Sequence, residues 1–165
     1  MKKGFTMIEL VFVIVILGIL ASIAVPRLAA TGDDAKAVKA AAEIKDVITQ
    51  LAAKYTIDGE WSTIIGGEKT GAGVAITGLS ADNLNDVPTM KAVVGRTKTD
   101  GNQWAATCVK ITVSNKDGNI KIENGTDTAS SYCQAIQNTP AMLDWKKLNE
   151  DGGEGIKVGG SGIFK

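Results

Sequence analysis

Residues 5–25 read FTMIELVFVIVILGILASIAV, and this apolar run decides the fold. A helix needs about 20 apolar residues to cross the hydrocarbon core of a bilayer, and the run is long enough. Its single ionisable residue is Glu9. A carboxylate inside a membrane segment costs about 2.5–3.5 kcal/mol even on forgiving scales, so it marks a functional site by default. We therefore predict a transmembrane helix over 5–25 with a functional Glu9.

The residues on either side of the run predict its orientation. Lys2 and Lys3 precede it, and Pro26 follows it. Positively charged flanks stay on the cytoplasmic side, so the remainder of the chain is predicted to face outward. A cleaved secretory signal peptide and a plain uncleaved anchor are the two simpler interpretations of such a run. Glu9 argues against both, because neither role requires a carboxylate.

The opening of the chain resembles the type IV pilin and pseudopilin family, whose members are subunits of helical filaments built across bacterial envelopes. The residues that carry the resemblance are Gly4, Phe5, Thr6, Ile8, Glu9, Leu10, Gly18 and Pro26. The resemblance implies that a prepilin peptidase removes a leader, residues 1–4, by cutting between Gly4 and Phe5. It also implies N-methylation of Phe5 and assembly through Glu9 and Phe5. The implied partners are further copies, related minor subunits, the membrane and an inner-membrane assembly platform.

The residues after Pro26 predict an amphipathic continuation of the helix over 26–55. Apolar residues recur there at spacings of three and four, which is typical of one buried helix face. This predicted face comprises Val38, Ala41, Ile44, Ile48, Leu51 and Tyr55. The predicted solvated face comprises Lys36, Lys39, Glu43, Lys45, Asp46 and Lys54. Pro26 removes one hydrogen bond inside the helix, so we expect a kink there.

Residues 56–165 predict a globular head containing an antiparallel sheet. Residues 56–103 are rich in glycine and are interpreted as a connecting region with one short helix near Ser80–Leu84, capped by Ser80. Alternating residues over 108–113 and 120–123 flank Asp117-Gly118, which is a strong hairpin signal. A short helix over Ser131–Gln137 and final strands at 156–158 and 163–164 complete the prediction. The fold class is therefore α+β: a long N-terminal helix packed against a small antiparallel sheet, as the pilin resemblance also implies.

Cys108 and Cys133 are the only cysteines, and both lie on the predicted exported side. Disulfides form in oxidising compartments, so a bridge between them is the leading interpretation, with two buried free thiols as the alternative. A cysteine-based metal site is poorly supported, because the chain contains no third cysteine and no histidine. Asp151 and Glu154 are weak calcium candidates in an acidic, glycine-rich loop that also includes Asp144 and Glu150. A solvated turn is the better interpretation of that loop.

Composition limits the possible functions. The chain contains 18 basic residues (Lys and Arg) and 18 acidic residues (Asp and Glu). This balance gives no sign of a basic face that would bind nucleic acid. Without histidine the commonest general base is missing, and the glycine-rich stretches lack phosphate-binding spacing. We expect neither an enzyme nor a cofactor.

The favoured function is a structural subunit of a type IV pilus-like filament. The predicted location is the inner membrane, as a single-pass protein with a periplasmic head, and then the pilus or pseudopilus. A pseudopilin of a type II secretion system is the first alternative. A membrane-anchored periplasmic binding module that does not polymerise is the second.

Overall fold

A computed structural model describes six segments of the chain. They are residues 6–61, 74–76, 84–96, 103–114, 118–150 and 155–159, without the side chains of 23, 25–31, 74, 75 and 106. The helices are α1 (Met7–Asp58), α2 (Pro88–Val94), α3 (Trp104–Thr107), α4 (Ser131–Gln137) and α5 (Pro140–Glu150). The strands are β1 (Val74–Ala75), β2 (Val109–Ser114), β3 (Asn119–Asn124) and β4 (Ile156–Lys157).

The long N-terminal helix predicted from the sequence is confirmed. α1 contains 52 residues, which corresponds to a length of about 78 Å. It begins after the N-cap Thr6 and ends at Gly59, whose φ of 74° is a left-handed conformation that glycine adopts without strain. The helix therefore continues past the predicted end at residue 55. Pro26 lies within it, and the kink expected there stays a prediction.

The buried face of α1 differs from the predicted face. The buried residues are Ala37, Ala40, Ile44, Val47, Leu51 and Tyr55. Val38 is 67% exposed, and Ala41 and Ile48 are only half-buried. The prediction rested only on the spacing of three and four between Val38, Ala41 and the apolar residues that follow. Packing against α4 instead selects the small side chains of Ala37 and Ala40, since small residues let two helices approach closely.

The predicted hairpin is confirmed and forms the centre of a four-stranded antiparallel sheet in the order β1-β2-β3-β4. The β2–β3 register runs from Val109 opposite Asn124 to Ser114 opposite Asn119. β1 and β4 are short edge strands of two residues each. Gly118 closes the hairpin with a positive φ of 59°, and its N–H donates to the carbonyl of Ser114 at 3.0 Å.

One hydrophobic core joins the sheet to α1. Apolar side chains of β2 and β3 alternate inward and share this core with the buried face of α1, while Lys110 and Glu123 stay in solvent. Trp61 and Trp104 are fully buried in the same core. The head therefore covers one face of the second half of α1, as the sequence predicts.

The head differs from the sequence prediction in two places. The connecting region contains α2, which begins at Pro88 and buries Met90 and Val93. The short helix predicted near residues 80–84 lies almost entirely outside the described residues. The supposed acidic loop begins later than expected, because Asp144 and Glu150 belong to α5. By contrast, the helix predicted over Ser131–Gln137 is α4, and the strand predicted near 156 is β4. The predicted strand at 163–164 lies outside the described residues.

The predicted disulfide is confirmed. It joins Cys108, at the start of β2, to Cys133 in α4, with the two Cα atoms 4.7 Å apart. The Cys108 carbonyl accepts hydrogen bonds from the Gly125 N–H at 2.8 Å and from Gln137 Nε2 at 2.9 Å. A Cβ atom on Gly125 would lie only 1.9 Å from the carbonyl oxygen of Thr107, so this close approach requires glycine. The bridge thus ties α4, and through it α1, to the sheet.

Removing the bridge by Cys108→Ser with Cys133→Ser should lower the free energy of unfolding. The cysteines are 25 residues apart, and on the chain-entropy model a loop of that length contributes about 3.5 kcal/mol. Denaturant titration of the detergent-solubilised full chain, followed by tryptophan fluorescence, measures the change. Dithiothreitol-treated wild type is the matched control and should unfold at the same midpoint as the variant. An unchanged midpoint in the variant would contradict the prediction.

Candidate functional site

The first half of α1 presents an apolar surface that no other described residue of the chain covers. Large apolar side chains from Met7 to Leu20 are exposed, and Met7 and Ile8 are 85% and 77% accessible. Monomeric soluble proteins rarely expose contiguous apolar patches of this kind, which mark contacts with protein or membrane. This half of α1 is therefore the first candidate functional surface.

Glu9 has a defined partner at the start of this surface. Thr6 and Glu9 form a capping box: the Thr6 N–H donates to Glu9 Oε2 at 2.9 Å, and the Glu9 N–H donates to Thr6 Oγ1 at 3.4 Å. The Thr6 hydroxyl also donates to Glu9 Oε2, at 2.7 Å. These bonds satisfy backbone donors that the first turn of a helix leaves open. In the single chain, Glu9 therefore stabilises the helix start.

The other predicted site residues are described only in part. Gly4, Phe5, Asp151 and Glu154 lie outside the described residues, so the cleavage site and the calcium candidates remain predictions. Within the described segments, no group of three or more metal-ligating side chains is placed to hold an ion. In the described part of the chain, no helix combines the length and the hydropathy that crossing a membrane requires.

Glu43 joins α1 to the head through a half-buried ion pair. Arg96 Nη1 and Nη2 donate to Glu43 Oε2 and Oε1 at 3.0 and 2.6 Å, and Trp104 Nε1 donates to Oε2 at 3.0 Å. The Glu43 side chain is only 15% exposed. Its assignment to the solvated face was therefore wrong. A two-pronged arginine–carboxylate contact is short, strong and directional.

The electrostatics of this cluster keep Glu43 ionised. Partial burial raises the pKa of the Glu43 carboxyl, but the hydrogen bonds from Arg96 and Trp104 lower it. The positive charges of Arg96 and Lys39 lower it further, so the net pKa lies below its ordinary value of 4.5. The same pair raises the pKa of the Arg96 guanidinium. Both groups are charged at neutral pH, and the pair is permanent there.

Further polar contacts along the same edge of α1 hold the segment 84–96. Gln50 Nε2 donates to Thr89 Oγ1 at 2.8 Å, and the Thr89 hydroxyl in turn donates to Asp46. Lys54 pairs with Asp86 at 3.2 Å and with Asp58 at 2.7 Å. Together with Glu43, these residues form a polar ladder: Glu43, Asp46, Gln50 and Lys54. The sequence analysis placed Glu43, Asp46 and Lys54 on the solvated face because they lie between the apolar positions, and it did not assign Gln50.

An open cleft of about 430 Å³ lies between α1 and α4, beside the disulfide. Its carboxylates already have structural partners. Asp33 accepts from Ser131 Oγ at 2.5 Å, and Asp127 Oδ1 accepts from the N–H groups of Ala129 and Ser130 at 3.0 Å. The pKa of Tyr132 is raised to about 12, mainly by burial of the side chain and to a smaller extent by the negative charge of Glu43. The Tyr132 hydroxyl is therefore neutral. The Ser131–Asp33 hydrogen bond joins α4 to α1, and the Asp127 bonds order the turn before α4.

Comparison with known proteins identifies the N-terminal segment and a relative of the whole chain. Residues 1–25 match the family model described as a prokaryotic N-terminal methylation motif. The chain is 30% identical over 163 residues to a fimbrial protein of Neisseria meningitidis serogroup A. The alignment covers 90% of this chain and 92% of that protein. No solved structure matches the chain.

Replacing Glu43 by glutamine should destabilise the head by about 1–3 kcal/mol, because it removes a half-buried, two-pronged hydrogen bond between charged groups. The matched control is Glu123→Gln, which breaks the exposed Lys110–Glu123 pair and should cost at most about 1 kcal/mol. Denaturant unfolding of each variant measures both values.

The pH dependence of the same variants provides a second test. A lowered pKa in the folded state stabilises the fold above 4.5, and this contribution is lost as the pH falls through the lowered value. The difference in stability between wild type and Glu43→Gln should therefore shrink on acidification. A difference that stays constant down to the acid transition would show that the Glu43 charge does not matter.

Proposed function

Because this chain belongs to the type IV pilin family, we propose that it assembles into a filament through the apolar half of α1 after its leader is removed. The chain is a type IV pilin-like structural subunit. Membership of the family implies assembly with other pilin subunits and processing by a prepilin peptidase. The observation that carries the proposal is the exposed apolar surface from Met7 to Leu20, which lies within the residues that match the methylation motif.

The proposed processing step converts an inert precursor into an assembling subunit. The peptidase hydrolyses the bond between Gly4 and Phe5, and the new amine of Phe5 is then methylated. The basis is the methylation motif over residues 1–25, which contains both residues. Cleavage leaves a positive charge four residues before Glu9, about one helical turn away.

Before assembly, the inner membrane is the proposed reservoir for the subunit. The run 5–25 has the length of a membrane-spanning helix, and Lys2 and Lys3 place its start on the cytoplasmic side. The head then folds in the periplasm, where the Cys108–Cys133 bridge can form. Association with the pilus, and so with the cell surface, follows from the family.

Glu9 is the proposed determinant of axial register. Inside a filament its carboxylate would be buried among apolar side chains, where an unpaired charge is expensive. The available cation is the Phe5 amine of an adjacent subunit. Both side-chain hydrogen bonds of Glu9 in the capping box use Oε2, and among the described residues Oε1 has no partner. Oε1 can therefore accept the incoming amine while the capping box stays intact.

A pilus is favoured over a secretion pseudopilus by one observation. The meningococcal relative that aligns with most of this chain is named a fimbrial protein. A binding module that does not polymerise would leave the apolar half of α1 in lipid permanently, and it would give Glu9 no cation to pair with.

Gly4→Val should block maturation, because a peptidase that cuts beside a membrane helix needs a narrow residue before the bond. The precursor should accumulate in the membrane with its leader attached. N-terminal sequencing and intact mass measure the result, and wild type should begin at N-methylated Phe5. A wild-type mature chain that starts at Ala24 or Val25 would instead identify an ordinary secretory signal.

Substitutions at Glu9 separate charge pairing from helix capping. Glu9→Val removes both functions, whereas Glu9→Gln keeps an oxygen that can cap the helix but carries no charge. Both variants should be inserted and cleaved normally, and both should lose most of their filaments. Filament yield after shearing, set against the cellular subunit level, is the measurement. Filaments at the wild-type level from Glu9→Gln would reject the charge pair in favour of capping.

A further inference from the structure

The chain contains one Asn-Gly dipeptide, Asn124-Gly125, and it lies where β3 ends, next to Cys108 of the disulfide. Asparagine deamidates most readily before glycine, because glycine has no Cβ to hinder attack by its backbone nitrogen. Asn124 is exposed to solvent. We propose that Asn124 is a latent deamidation site that the Cys108 carbonyl keeps closed, and that loss of the Cys108–Cys133 bridge opens it. This inference goes beyond the proposed function and does not depend on filament assembly.

The reaction needs only the chain and water. The Gly125 nitrogen loses its proton to solvent base and attacks Cγ of the Asn124 side chain, and the side-chain nitrogen leaves as ammonia. The product is a succinimide ring. Water then adds to either ring carbonyl and breaks its bond to the ring nitrogen, which leaves aspartate or isoaspartate at position 124. The first step therefore requires a free Gly125 N–H and a rotation of the backbone at Asn124.

In the folded chain both requirements are blocked. The Gly125 N–H donates to the Cys108 carbonyl at 2.8 Å, so its proton is not available to solvent base. Asn124 lies opposite Val109 in the β2–β3 register, which keeps its backbone extended. The backbone at Gly125 lies so close to Thr107 that a Cβ atom there would be 1.9 Å from the Thr107 carbonyl oxygen. Attack on the Asn124 side chain therefore requires this end of the hairpin to open.

Helix α4 holds the Cys108 carbonyl in place. The disulfide joins Cys108 to Cys133 in that helix, with the two Cα atoms 4.7 Å apart. Gln137 is buried one helical turn after Cys133, and its Nε2 donates to the carbonyls of Cys108 and Asp127 at 2.9 and 3.2 Å. Helix α4 thus contacts the chain on both sides of the Gly125–Cys108 hydrogen bond, and the disulfide is the covalent part of that attachment.

Deamidation at this place would have a lasting result. It puts a negative charge at position 124, directly after Glu123. In the isoaspartate form the backbone is longer by one methylene group, so the pairing with Val109 and the Gly125–Cys108 hydrogen bond cannot both form again. A chain that loses its bridge is thereby marked covalently, and later reoxidation of the cysteines does not remove the mark.

Time courses of deamidation in the detergent-solubilised full chain test the inference. After incubation at mildly alkaline pH, mass spectrometry of the reduced tryptic peptide 122–146 measures conversion of the Asn124 amide to a carboxylate. Asn138, which precedes threonine in the same peptide, is the internal reference. The oxidised wild type should deamidate at Asn124 at least about tenfold more slowly than the reduced chain in denaturant, because the folded chain must first open locally. Equal rates in these two samples would overturn the inference.

The bridge-free chain, Cys108→Ser with Cys133→Ser, tests the role of the disulfide. Tryptophan fluorescence first shows that this variant is folded under the conditions of the incubation. Its Asn124 should then deamidate several-fold faster than that of the oxidised wild type. An unchanged rate in the folded variant would refute the role of the bridge.

Two substitutions on α4 separate local opening from general destabilisation. Gln137→Met keeps the length of the side chain but removes the donor to the Cys108 carbonyl, and it should raise the rate several-fold. The matched control, Gln134→Met, removes an exposed hydrogen bond to the Thr128 carbonyl at 2.8 Å and should leave the rate unchanged. Glu43→Gln, which acts away from this strand end, should have a smaller effect than Gln137→Met. Equal acceleration in all three variants would show that deamidation follows unfolding of the whole head and would overturn the inference.

Discussion

One helix has to satisfy two incompatible surroundings, and the rest of the structure follows from that constraint. The first half of α1 carries large apolar side chains around its circumference, and the described part of the head leaves them exposed. The second half has one apolar stripe, from Ala37 to Tyr55, and the head buries only that stripe. Hydrophobic association is non-directional. It therefore concentrates the subunit in lipid or in a bundle of similar helices, but it fixes neither the depth nor the rotation of the helix.

Directional contacts supply what apolar burial lacks. In the head, the core stripe holds the sheet and α4 against α1, while the polar ladder fixes the segment 84–96 at one angle around the helix. The Glu43–Arg96 contact is the strictest of these, because two parallel N–H···O bonds form only in one orientation. At the other end of α1, Glu9 is the sole carboxylate of the apolar run. The proposed pairing of Glu9 with an incoming amine would use the same chemistry in the first half of the helix.

The features that could be predicted from the sequence are those with local signals. The apolar run gave α1, Asp117-Gly118 between alternating residues gave the hairpin, and two exported cysteines gave the disulfide. The buried face of α1 was misjudged because periodicity places a stripe only to within about one residue, and α4 decided between Ala37 and Val38. Glu43 was misjudged because its partner Arg96 lies 53 residues away. A carboxylate that faces water and one that faces a distant arginine have the same local sequence pattern.

The wrong assignments of Val38 and Glu43 have one physical cause. Hydropathy ranks residues by their tendency to leave water, but it does not identify the groups that a side chain contacts when it is buried. Val38 is apolar enough for a core and is exposed, whereas Glu43 is polar enough for solvent and is half-buried. In a monomeric protein an exposed valine above a surface of alanines would be an ordinary surface feature. A type IV pilin-like subunit works among further subunits, so the exposure of a side chain in the single chain describes its surroundings only before assembly.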